Sequence, residues 1–203
     1  MSMNGRERDW DGSCDREASG QENPFQNGWE YLNLARELAP DSGIIEVTED
    51  IVDRIHICTW IGKHIDAVNS QLYACLDACH QCFRKSQQRE IQILAVPLSS
   101  HLGIDGFCNI LLDPVAIMID VGRVAPSDWL GLVAHEYAHA HLKSPGHDRS
   151  FFEVLTHICL GLGLRPPPAQ SINSAIVSAQ LRHWPHCKAL PDPLAFWKGL
   201  GEF

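Results

Sequence analysis

The chain has 203 residues, 45% of them hydrophobic, enough to bury a sizeable core in one compact unit. Its formal net charge of −9 leaves no basic stripe to neutralise phosphates, so no nucleic-acid partner is expected. No apolar run approaches a membrane span and no apolar secretory core opens the chain, which points to a soluble, cytoplasmic protein with no membrane partner.

In chain order, residues 1–28 come first as a polar segment. The first 31 residues hold no Leu, Ile or Val. Such a stretch cannot offset its ordering entropy and reads as a flexible tail ahead of a single domain over 29–203. A short helix is predicted over 29–39, closed by Pro40-Asp41-Ser42-Gly43. A second begins near Thr48, carries Glu49 and Asp50 in its first turn, and runs with a break to about Gln88, completing a helical part over 29–90. A core over 91–165 follows. Residues 91–96 read as a strand, 106–112 as another, and the β-branched apolar run 115–121 as a third. The third could present an edge to which an extended peptide adds. Pro166-Pro167-Pro168 ends the core, and a further helix over 171–182 leads to a Pro-rich, Trp-bearing end within 166–203. Helices, then a small and mostly antiparallel sheet, then a metal-binding helix, is an α+β order.

The chemistry sits in the helix expected over 129–142, which follows the breaker Ala125-Pro126-Ser127-Asp128. It contains His135-Glu136-Tyr137-Ala138-His139, the H-E-x-x-H pattern of zinc hydrolases. Residues four apart share a helix face, so His135 and His139 can present two imidazoles to one ion. Glu136 lies about 100° around the same helix, where it can reach a water held by the metal rather than the metal itself. Zinc acidifies that water and Glu136 accepts its proton, the division of labour that peptide hydrolysis needs.

A catalytic zinc takes a third protein ligand and keeps a position open. Lys143-Ser144-Pro145-Gly146 breaks the helix, and His147 emerges from that turn within chain reach of the His pair. Glu153, on the amphipathic helix that follows, is the alternative third ligand, since a glutamate from a following helix is the other common arrangement. Glu153 shares a helix face with His157, opposite Phe151, Leu155, Ile158 and Leu162. That face is either solvated or turned to the metal, and His157 is a candidate donor to a developing oxyanion. His141 lies two residues from His139 and faces away.

The stretch HEYAHAHLKSPGHDRSF, residues 135–151, resembles the active-site segment of the SprT-like and WLM zinc metallopeptidases. There, H-E-x-x-H is followed by a turn and a His with an aromatic residue four positions later, as His147 and Phe151 are here. The resemblance implies a zincin-like fold, zinc on His135, His139 and His147, and Glu136 as general base. Those families digest proteins crosslinked to DNA, often with an added zinc ribbon. Only Cys159 and Cys187 follow His147, so no ribbon is supplied and the DNA role is not carried over. The long metzincin signature is excluded, because Leu142 and Pro145 stand where it needs Gly and His.

Cys75, Cys79 and Cys82 have a cluster-binding spacing, but they also continue a helical stripe from Leu72 and read as small buried hydrophobes. Cys14, in the tail, is a candidate thiolate plug for the metal. The expected protein is thus a zinc-dependent peptidase (a metallopeptidase and hydrolase) acting on a protein or peptide substrate. The alternative is a non-catalytic, zinc-stabilised scaffold that keeps the motif. The intact Glu136 favours the first, because a structural zinc does not require that carboxylate.

Overall fold

Asn23 opens the first helix by accepting the Phe25 amide on its side chain, and Pro24 brings a preset φ to the first turn. The computed structural model describes residues 23–168, 181 and 184–201, and α1 spans Pro24–Leu38. It starts ahead of the expected residue 29 because Phe25 packs on the core and Gly28 lies at the crossing with the next helix. Helix α2, Ile51–Gln81, is one uninterrupted 31-residue helix, where the sequence suggested a break and an extension to 88. Its apolar stripe explains the continuity: Ile57, Ile61, Ile65, Val68, Leu72, Leu76 and Cys79 are buried at helical spacing along its whole length. Asp50 caps it by accepting the Val52 and Asp53 amides. Where α1 crosses α2 the backbones nearly touch. A Cβ on Gly28 would run into the Cys58 carbonyl, and one on Gly62 into the carbonyl of Pro24.

The sheet has three strands, β1 (Ile91–Ala95), β2 (Gly106–Asn109) and β3 (Val115–Ile119), in the order β1-β3-β2. It is mixed rather than mostly antiparallel: β2 pairs antiparallel with β3, whereas β1 pairs parallel with it. The short 110–114 connection folds β2 back on β3 as a hairpin, and β1 takes the far side of β3, where its direction matches. This corrects the reading of residues 115–121 as an edge. β3 is central and all five of its residues are buried, as a strand covered on both faces must be. The edge beside the metal helix belongs to β2.

Helix α3, Trp129–Leu142, packs against α2, β2, β3 and α4, which spans Arg149–Leu162. Every residue from Gly131 to Ala140 is buried, so this helix is apolar nearly all round. A last short helix, Pro193–Trp197, docks through an edge-to-face cluster of Trp60, Phe196 and Trp197. The buried Asp120 clips it down by accepting the Trp197 indole N–H at 2.8 Å, and also accepts Leu98 N, Gly122 N and Arg123 Nε. The architecture is α+β, and no helix among the described residues is long and apolar enough to cross a membrane. Apart from Leu181, the helix expected over 171–182 lies outside the described residues.

Candidate metal centre

The helix end creates the site. Lys143 closes α3 in the left-handed region at φ 50°, a conformation uncommon for a residue with a side chain. The chain then reverses through Ser144, Pro145 and Gly146, with Ser144 N donating back to the His139 carbonyl. Two results follow from that one reversal. The Ser144 carbonyl accepts a hydrogen bond from Nδ1 of His139 at 2.8 Å, and His147 swings over the helix face that carries His135 and His139. Only an N–H can serve a carbonyl, so Nδ1 of His139 holds the proton and its Nε2 is a bare lone pair.

That lone pair points at the other two imidazoles. Nε2 of His147 lies 3.1 Å from Nε2 of His135 and 3.2 Å from Nε2 of His139. The three form a group whose ligand atoms all fall within 4.8 Å of one another, and no other such group of His, Cys, Asp or Glu occurs among the described residues. His135 and His139 are buried, and burial holds both imidazoles below their ordinary range. His135 falls to about 3, chiefly by desolvation and then by the neighbouring His139 and His147, with the Trp184 backbone pulling the other way. Three imidazoles with converging nitrogens form a candidate cation site with no fourth protein ligand among the described residues. Beneath them Phe151, itself fully buried, touches all three rings at centroid distances of 5.0, 4.4 and 4.7 Å.

Glu136 sits beside this group, 6% exposed, with its carboxyl pushed up to about 8 by burial alone. Gly106 of β2 makes room for it, since a Cβ there would stand 3.0 Å from Oε1 and 3.1 Å from Cγ. The His group and Glu136 line an open cleft of about 660 Å³. One wall is the segment 102–108, ending in β2, and the other is a C-terminal strap, residues 184–187. Pro185 rests on the bare backbone of Gly131, one helical turn before His135. Asp128, the residue before α3, makes no cap hydrogen bond and instead accepts the Lys188 amide at 2.6 Å, tying the strap down.

The other candidates lie elsewhere. Glu153 is exposed and paired with Arg149 at 2.7 Å, outside the histidine group, so it is not positioned as a third ligand. The face it shares with His157 is exposed. His157 packs on Phe83 and meets the Cys82 carbonyl at 2.8 Å, far from the cleft walls, and cannot serve an oxyanion there. His141 stacks on Phe83 at 4.3 Å, facing away as expected. The seven described cysteines are free; Cys79 is buried in the core, and Cys75 and Cys82 flank it at the core margin. Cys14 lies outside the described residues. Asp105 and Gly106 are cleft residues to which sequence reasoning gave no part in the site. They come from segments far from the motif, and nothing in their local sequence announces them. Compared with family models, curated proteins and solved structures, the chain has no match.

Proposed function

We propose that this chain is a zinc-dependent peptidase with a zincin-like fold, related in its active-site segment to the SprT-like and WLM metallopeptidases. The observation that carries the reading is the convergence of three imidazole nitrogens beside a buried carboxylate on the floor of an open cleft. Zinc fits the donor set. Nε2 of His147 stands 3.1 and 3.2 Å from the Nε2 atoms of His135 and His139, and three converging imidazoles are a donor set that would hold zinc. When bound, the ion supplies Lewis acidity, polarising a substrate carbonyl and lowering the pKa of a water.

The chain's own residues do the rest. Glu136, buried beside the three histidines, takes a proton from the attacking water and passes it to the leaving amine. The Ser144 carbonyl keeps Nδ1 of His139 protonated, so that Nε2 faces inward. The edge strand β2 runs along the cleft, where an extended peptide can add as a further strand. His186, on the strap opposite, is the lining side chain suited to donate to the oxyanion as charge develops there.

The test is metal content and hydrolysis measured together. Wild type and Glu153→Ala should hold about one zinc per chain, and His139→Ala and His147→Ala should lose it. Glu136→Gln should keep its zinc and lose peptide hydrolysis by about 10²–10⁴-fold. Equal hydrolysis by wild type and Glu136→Gln would refute the mechanism. Bound zinc with no hydrolysis of any peptide or protein would leave the scaffold reading in its place.

A further inference from the structure

The histidines are committed to a metal and Glu136 to proton transfer, but the other carboxylate among the described residues lining the cleft has no task. Asp105 stands at the start of β2, on the wall facing the strap. Its main chain is fixed, because its carbonyl accepts the Asp120 amide at 2.8 Å. Its carboxylate is half-buried and, among the described residues, makes neither a hydrogen bond nor an ion pair. The cation whose field reaches it, Arg123, is already spent on Asp120 through Nε and on the Leu98 carbonyl through its second nitrogen. Asp105 does not join the converging histidines, so it is not a further metal ligand. Among the described residues, no Lys or Arg lines the cleft. A half-desolvated carboxylate without a partner is costly, and this one lines an open cleft from which a cation can reach it.

We propose that Asp105 sets the specificity of the cleft by pairing with a cationic side chain of the substrate, a lysine or arginine close to the scissile bond. The proposal rests on the peptidase reading above. The net charge of −9 assists at longer range by drawing basic segments towards the mouth. A charge-assisted hydrogen bond made in a partly desolvated cleft is worth about ten- to a hundredfold in discrimination against an uncharged isostere.

The experiment uses the full-length, zinc-loaded chain and matched fluorogenic peptides that carry lysine, norleucine or glutamate at one scanned position. Each peptide is made with a free and with an acetylated N-terminus. Wild type should cleave the lysine peptide at least about tenfold faster in kcat/KM than the norleucine peptide, acetylated or not. Asp105→Asn, a near-isosteric change, should bring that ratio to about one, mainly through KM. Asp105→Lys should turn the preference towards glutamate. Binding is read separately in Glu136→Gln, which should hold the lysine peptide more tightly than the norleucine one, a difference lost in Glu136→Gln/Asp105→Asn. Cleavage by wild type with no cation preference, or a preference that survives Asp105→Asn, overturns the proposal and leaves the peptidase reading intact. A preference that follows the free amine rather than the side chain also overturns it, assigning Asp105 to the substrate N-terminus. Absence of cleavage and of binding for every peptide removes the peptidase reading and this proposal together.

Discussion

Phe151 shows how a site can depend on a residue that never touches its ligand. The ring is fully buried and packs against His135, His139 and His147 together, so it fixes the tilt of each imidazole from below. Phe151→Ala should cost about 3–5 kcal/mol in urea unfolding, the usual range for emptying so large a core position. Phe151→Leu should cost less and still weaken zinc by about 10–100-fold in a competition titration, because the ring that orients the ligands is gone. Zinc affinity equal to wild type in Phe151→Leu would show that the turn at 143–146 orients the imidazoles unaided. At this scale the sequence was informative where spacing has fixed geometry. His135 and His139 are one helical turn apart in any α-helix, and Glu136 can never share their direction. His147 and Glu153 could not be separated in that way. A helical wheel places Glu153 and His157 on one face without saying what lies opposite it, and the answer is solvent and Phe83.

Elements meet here through glycine as much as through apolar side chains. Gly62→Ala in a long helix would ordinarily raise stability by about 1 kcal/mol. In α2 it should instead destabilise, because the new methyl would run into the Pro24 carbonyl and push α1 off the core. A thermal melt followed by circular dichroism decides the sign, and an unchanged or higher Tm would contradict the close crossing. The strand at Val115–Ile119 carries the complementary lesson. Its unbroken apolar run signalled burial on both faces, which already argues for a central position over an edge. The parallel partner β1 was not legible, since pairing direction depends on which side of β3 the earlier strand docks.

At the scale of the molecule, an ion on the three histidines would tie the face of α3 to the turn before α4, while α1 and α2 are held by their own apolar core. Removing the ion should therefore lower stability without unfolding the chain. At a thousandfold excess of zinc over its Kd, binding adds about 4 kcal/mol, which for a chain of this size corresponds to a Tm higher by roughly 8–16 °C. Calorimetry with and without chelator should show that shift in wild type and none in His139→Ala, with the far-ultraviolet helical signal kept in both. Loss of that signal on chelation would mean that the metal holds the fold itself.

The sequence by itself determined the α3 motif, the breaker that ends its helix and the histidine that follows, because hydrogen-bond geometry within one helix and its turn is local. It also marked the buried strand and the stripe of α2, since burial leaves its period in the chain. The tertiary structure alone decided the mixed sheet, the choice of His147 over Glu153, and the cleft with Asp105 on one wall and the 184–187 strap on the other. Those features join residues dozens of positions apart, brought together by packing and by single long-range hydrogen bonds such as Asp128 to Lys188 and Asp120 to Trp197. No local pattern encodes such a meeting, because the free energy that selects it belongs to the assembled core and not to either segment.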